Sequence, residues 1–322
     1  MKNKILIVGG DPNSVNSEVI IKSWKKSKKN LRKKILILAD YNLMVAQAKK
    51  LNLKVKFQKY LNKKSKNSSN LLNILDVPLK FKNCFKVPKA DSSKYVLRCI
   101  NYAHKLAQEK RIKGFINCPI NKELLSKNKN IGVTELLAKK SNLKKFSEVM
   151  MLYNAKLAVV PITTHISIKE ISKKITKELL FKKIKVLNNN YIKIFKKKPR
   201  IALLGLNPHN AELNRKSEEV KTIIPTIKIL KKKNLNIKGP YVADSFFINE
   251  FRKFDVAIGM YHDQVLIPFK SLFKFNAINV TLGLPYLRVS PDHGTAKNLI
   301  GKNKVNFLSL LKCINFINNF KK

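Results

Sequence analysis

The feature that most constrains this chain is an alternation. Short, nearly unbroken apolar runs rich in Ile, Val and Leu take turns with longer stretches whose apolar residues recur at helical spacing. The runs at 5–8, 35–38, 54–57, 114–117, 158–162, 201–205, 256–260 and 277–281 read as strands, most of them apolar on both faces. Strands of that kind are covered above and below, as in parallel sheets flanked by helices. Between them, 18–28, 43–52, 93–110, 167–188, 216–233 and 304–320 carry the helical pattern. Alternation of this sort predicts an α/β fold with a mostly parallel or mixed sheet. The stretch 61–92 is the least regular, and its polar part, 62–70, is expected to be an exposed loop.

Composition narrows the function classes. The 322 residues include 67 Lys and Arg against 19 Asp and Glu, a formal charge of +48. A nucleic-acid-binding protein is one reading of such a surplus. However, the lysines are spread along the whole chain, at 25–26, 63–64, 139–140, 173–174, 196–198 and 231–233, with no interleaved aromatic stripe. They read as a solvated surface that draws in small anions, with no dedicated nucleic-acid partner. Cys84, Cys99, Cys118 and Cys313 show no short metal spacing and read as reduced, buried thiols of a cytoplasmic protein. The apolar run after Met1-Lys2-Asn3-Lys4 ends at Gly9-Gly10, too short for a signal peptide, and no run approaches a membrane span. Neither GxGxxG nor GxxxxGK[ST] occurs, so a bound nucleotide would not use either glycine loop.

The histidines point to chemistry. There are five, and His104 lies mid-helix, where a surface or core-edge role is expected. His165, His209 and His262 each follow a predicted strand. In open α/β sheets ligands bind beyond the carboxyl ends of the strands. Three imidazoles delivered there suit a catalytic divalent metal with open positions. Imidazole nitrogens suit Zn or Co, and an accompanying carboxylate would admit Mg or Mn. Asp244 and Asp263 are candidate carboxylates beside them, as ligands, orienting groups or the catalytic base. Downstream, Lys270, Asn279 and Arg288 offer two cations and an amide for a doubly anionic substrate.

Several motifs extend this reading. Asn207-Pro208-His209, Met260-Tyr261-His262-Asp263-Gln264, Thr281-Leu282-Gly283-Leu284-Pro285 and Asp292-His293-Gly294-Thr295-Ala296 resemble, in order, the 4-hydroxythreonine-4-phosphate dehydrogenase family of vitamin B6 synthesis. Cys118-Pro119-Ile120-Asn121-Lys122, Thr134-Glu135 and Thr163-Thr164-His165 add to the resemblance. It implies two α/β/α domains with a cleft between them, isocitrate/isopropylmalate dehydrogenase-like, here expected at 1–130 plus 280–322 and at 131–279. It implies a homodimer with the site at the subunit interface, and NAD-dependent, metal-assisted oxidative decarboxylation of a phosphorylated substrate. By resemblance, His165, His209 and His262 hold the metal, and Thr134, Lys270, Asn279 and Arg288 touch substrate. Asp244, Asp263 and Lys270 are the catalytic candidates, and His293, Gly294 and Thr295 the NAD-binding ones. Two positions depart from the family pattern. Val133 replaces a substrate-touching histidine, which motivates a phosphorylated four-carbon sugar acid as an alternative substrate. Asn13-Ser14-Val15-Asn16-Ser17-Glu18 stands where the family has glycines, and Asn16 is expected to substitute for one of them by adopting positive φ.

Overall fold

The computed structural model describes residues 1–61, 68–125 and 132–320. The chain divides into two compact units, Met1–Ser141 with Leu284–Phe320, and Asn142–Gly283. The division places 132–141 and 280–283 on the other side from the sequence-based boundaries, so Thr134 belongs to the first unit. The expected boundary at 131 and most of the 62–70 loop lie outside the described residues.

The first unit contains β1 (Ile5–Val8), β2 (Ile35–Ala39), β3 (Lys56–Lys59), β4 (Leu71–Asp76), β5 (Gly114–Asn117) and β12 (Arg288–Pro291). They lie in the order β3-β4-β2-β1-β5-β12, and every pairing is parallel. β1, β2 and β5 are buried along their whole length; β1 and β2 are unbroken apolar runs, and β5 is apolar up to Asn117. Helices α1 (Asn16–Lys26), α2 (Lys29–Arg32), α3 (Tyr41–Lys50), α4 (Lys89–Gln108), α5 (Val133–Lys140) and α11 (Leu308–Asn319) complete the unit. β4 and β12 were not among the predicted strands: β4 carries Asn73 and β12 opens on a charge and closes on proline, so neither shows an apolar run.

The second unit contains β6 (Val149–Asn154), β7 (Leu157–Pro161), β8 (Ile201–Leu204), β9 (Ile237–Tyr241), β10 (Val256–Gly259) and β11 (Ile278–Leu282), in the order β11-β6-β7-β10-β8-β9. β7, β10, β8 and β9 run parallel, and β6 is antiparallel to both its neighbours. Helices α6 (Ile168–Lys174), α7 (Lys177–Phe195), α8 (Ile224–Lys232), α9 (Ala243–Phe246) and α10 (His262–Phe273) surround this sheet. The predicted helix at 167–188 is two helices, because Thr176 is extended and caps α7 by accepting from Leu179 N–H. Phe246, Phe251, Phe254, Val265 and Phe269 pack with Leu152, Val159 and Leu204 in one core cluster, which seats α9 and α10 on the sheet. Among the described residues no helix is long and apolar enough to cross a membrane. Cys99, Cys118 and Cys313 are buried as expected, whereas Cys84 is only half-buried.

Candidate active site

β7, β10 and β8 are adjacent and parallel, so their carboxyl ends share one edge of the sheet. His165, His262 and His209 follow those three ends in turn. The segments are bonded to one another. Thr163 donates its N–H and its hydroxyl to Met260 O at 3.1 and 2.7 Å, tying the His165 loop to the His262 loop. Gln264 accepts from Met260 N–H at 2.7 Å and donates to Gly205 O at 2.8 Å, tying the end of β10 to the end of β8.

The rings of His165 and His262 are neighbours, centroids 5.8 Å apart and planes tilted by 40°. His262 opens α10, and its Nδ1 lies 2.6 Å from Asp263 Oδ1. His209 lines a cavity of about 450 Å³ together with Asn207, Asp244, Tyr261, Asp263 and Gln264. The donor chemistry of this edge, imidazole nitrogens with carboxylate oxygens, fits a divalent cation. The full trio expected from sequence is not gathered within one chain. Among the described residues no three His, Cys, Asp or Glu side chains are arranged to hold a metal ion. His165 lies beside His262, Asp263 is bonded to His262, and His209 lines a cavity with that same Asp263 and with Asp244.

The backbone that carries His209 is unusual. His209, Asn210, Ala211, Glu212 and Leu213 all have φ between 48° and 57°, a left-handed turn of five non-glycine residues. For L-residues each such position costs roughly 1–2 kcal/mol, less for Asn. A buried polar cluster holds it. Glu219 Oε1 accepts from the N–H groups of Leu206 and Asn207 at 2.8 and 2.9 Å. Asn207 Nδ2 donates to Glu218 Oε2 at 2.8 Å and to Glu219 Oε2 at 3.0 Å, and Asn210 Nδ2 donates to Pro240 O at 3.2 Å. Burial pushes the Glu219 carboxyl up, but the donors from Asn207 and Leu206 outweigh it and hold the group below its ordinary range. A Cβ at 205 would fall 2.0 Å from Asn210 Oδ1 and 3.2 Å from Glu219 Oε1, so any larger residue there would displace the Asn210 side chain. Sequence reasoning missed Asn207, Glu219 and Gln264 as structural partners; the adjacent glutamates at 218–219, next to an apolar helix, were the available signal.

The anion-binding candidates differ in setting. In the first unit Arg288 is buried on β12 and donates Nε to Asn117 Oδ1 at 2.6 Å and Nη1 to Thr134 Oγ1 at 3.0 Å. Burial lowers its guanidinium to about 10, so it remains charged at neutral pH. In the second unit Lys270 is exposed in the last turn of α10, two turns beyond His262. Asn279 lies on β11, and its Oδ1 is buried without a protein partner among the described residues. His293 Nδ1 lies 3.0 Å from Gly294 O while its Nε2 is buried without a protein partner among the described residues. Thr295 O accepts from Val15 N–H at 3.4 Å, which connects this loop to the start of α1. Asn16 does not adopt positive φ. It opens α1 and its amide donates to Gly9 O and Pro119 O at 2.9 and 2.8 Å, while Gly10 takes the positive φ of 76°. His104 sits at the core edge, its Nδ1 2.7 Å from the Tyr286 hydroxyl.

The family model for the pyridoxal phosphate biosynthetic protein PdxA matches residues 31–317. The chain belongs to the PdxA family. It is 36% identical over 324 residues to the 4-hydroxythreonine-4-phosphate dehydrogenase of Aquifex aeolicus, covering 98% of each chain. It is 29% identical over 312 residues to the D-threonate 4-phosphate dehydrogenase of Pectobacterium atrosepticum, covering 94% of this chain and 95% of that one. The crystal structure of 4-hydroxythreonine-4-phosphate dehydrogenase from Klebsiella pneumoniae superposes with a TM-score of 0.84 at 28% identity, covering 98% of both chains. Membership in the PdxA family makes this protein an oxidoreductase, and its mixed α/β fold matches the family's structures.

Proposed function

We propose that this PdxA-family enzyme is an NAD-dependent, divalent-metal-assisted dehydrogenase that oxidatively decarboxylates 4-phosphohydroxy-L-threonine to 3-amino-2-oxopropyl phosphate and CO2, in cytoplasmic pyridoxal phosphate biosynthesis. The observation that carries this reading is the shared strand edge bearing His165, His209 and His262 in a chain that matches the family over 31–317. The three imidazoles would hold the cation, which supplies Lewis-acid stabilisation of negative charge developing on substrate oxygen. The residues of the chain do the rest. Arg288, braced by Asn117 and Thr134, holds an anionic group of the substrate, with Lys270 and Asn279 as further contacts. Asp263, oriented by His262, or Asp244 takes the hydroxyl proton as hydride leaves the same carbon for NAD. CO2 then departs from the resulting β-keto acid. The loop with His293, Gly294 and Thr295 contacts the cofactor.

That no three such side chains meet among the described residues supports a homodimer with the site at the subunit interface, and we assign His165 and His262, whose rings are 5.8 Å apart, to one copy and His209 to the other. Exposed Leu213, Ile248, Ile267 and Leu272 in the second unit are apolar surface for such a contact. Mixing inactive His165→Ala and His209→Ala proteins under subunit exchange then restores about a quarter of the native activity, because one site in each mixed dimer is intact. No restoration would contradict the shared site.

A second reading is favoured by Val133, the first residue of α5, next to Thr134. Valine offers no hydrogen bond to a substrate amino or hydroxyl group, and the family includes enzymes named for D-threonate 4-phosphate. Following NADH formation with 4-phosphohydroxy-L-threonine and with D-threonate 4-phosphate, each with and without chelator, decides between the two. Turnover of the first, abolished by chelator, is the expected result; turnover of the second alone would replace it.

A further inference from the structure

We propose that Glu219 is a positioning residue that presents His209 to the cation by holding the left-handed turn, an inference that rests on reading His209 as a metal ligand. Three observations converge on it. First, five consecutive non-glycine residues from His209 to Leu213 hold positive φ, a conformation L-residues do not keep unaided. Secondly, the Glu219 side chain is buried completely, and both its oxygens point back at the residues that lead into the turn. A carboxylate is not buried there for packing, since an apolar side chain would serve that end at lower cost. Thirdly, Glu219 begins a π-helical turn, Glu219–Ile223, at the entry to α8. Such turns re-aim a side chain within a helix, and this one sets the carboxylate beneath Leu206 and Asn207, against Gly205.

The consequence is a chain of positions. Glu219 fixes the N–H groups of Leu206 and Asn207, the Asn207 amide is gripped by Glu218 and Glu219, and Pro208 hands the chain into the turn. Asn210 is the turn's second anchor, through Pro240 O. His209 therefore owes its direction to a residue ten positions downstream. Losing the Glu219 carboxylate should free the turn toward ordinary right-handed or extended backbone and carry the imidazole away from the cation. Glycine has no such preference against positive φ, so a glycine inside the turn should compensate.

The test is titration of the metal-stripped protein with Co²⁺, read by calorimetry and by the visible absorption of the bound ion. Four proteins are compared: native, His209→Ala, Glu219→Gln, and Glu219→Gln combined with Ala211→Gly. The expected result is at least tenfold weaker binding and an altered Co²⁺ spectrum in Glu219→Gln, with both largely restored by Ala211→Gly. Native affinity and spectrum in Glu219→Gln, or weakening that Ala211→Gly leaves untouched, would overturn the positioning role. Native-like Co²⁺ binding by His209→Ala would instead overturn the ligand reading beneath it, so the two failures are distinct. Should Glu219→Gln not fold, Ala211→Gly alone carries the test. It should raise the Tm by about 2 °C by relieving a left-handed alanine, and a lowered Tm would show that the turn is not as described.

Discussion

Arg288 and the three histidines hold their places in contrasting ways. Arg288 lies on a strand, buried, with its guanidinium already bonded to Asn117 at the end of the neighbouring strand and to Thr134 in the first turn of α5. The histidines lie beyond strand ends, on segments held by the side chains of Thr163, Gln264 and Glu219 and by a run of left-handed residues. The first arrangement is assembled with the core, so it can cradle an anion without moving. The second is a set of loops tied at a few points, which suits ligands that must close around a cation. Substitutions should therefore act differently in the two places: on substrate affinity and folding together at Arg288, and on cation binding with little change in folding at the histidines.

The largest expected effect is at His209. His209→Ala should lower kcat by about a thousandfold or more, roughly 4 kcal/mol of barrier, with metal content lost and thermal stability nearly unchanged. Metal analysis by mass spectrometry beside an NADH assay checks both. A mutant that melts much earlier would erase the contrast drawn above.

Arg288→Ala should raise KM about a hundredfold, because one charged, multiply bonded anion contact is worth some 2–5 kcal/mol. It should also lower Tm, since the Asn117 amide and Thr134 hydroxyl lose a buried partner. Arg288→Lys should recover little, as an ammonium lacks the fork that reaches both. Unchanged KM in either variant would remove the anion-binding role.

A carboxylate at the other end of the same strands sharpens the contrast. Asp255 lies just before β10 and is bonded by Arg200 and Lys197. Burial pushes its carboxyl up, but the bonds from Arg200 and Lys197 outweigh it and bring the group from 3.8 to about 2. A group lowered on folding adds stability above its unfolded value, and that stability is lost as pH falls from about 4 towards 2. Asp255→Asn should thus cost about 2 kcal/mol at pH 7 and little at pH 2, with KM and metal binding untouched. Urea unfolding at both pH values is the measurement. The smallest effect is expected for Gln264→Ala, which leaves Met260 N–H and Gly205 O without their bonds. About 1–2 kcal/mol of stability should go, together with weaker Co²⁺ binding, because this side chain joins two histidine-bearing segments.

How far the sequence could be read follows from the same contrast. The unbroken apolar runs of β1, β2, β8 and β10 announced themselves because burial on both faces leaves no polar position to confuse the pattern. β9, with Gly239-Pro240 inside it, and β12, with Arg288 at its head, are defined by their neighbours in the sheet and carry no such pattern. The positions of His165, His209 and His262 after strand ends were visible, since strand ends were. That no three such donors meet among the described residues was not, because it depends on backbone direction after the strand. The left-handed turn is the clearest case: Asn210 tolerates positive φ, but Ala211, Glu212 and Leu213 give no local hint of it, and the bonds of Glu219 to Leu206 and Asn207 and of Asn210 to Pro240 O join residues that no short sequence window relates.

We propose that His165, His209 and His262 bind one divalent cation, with a second copy of the chain completing the set. Anomalous diffraction from crystals soaked in Zn²⁺ or Co²⁺ tests it most directly. One strong peak is expected for each chain, with a nitrogen of each of the three histidines about 2.0–2.1 Å from it and His209 contributed by the partner of the chain that gives the other two. A cation bound by other residues, or crystals in which these imidazoles hold none, would contradict it.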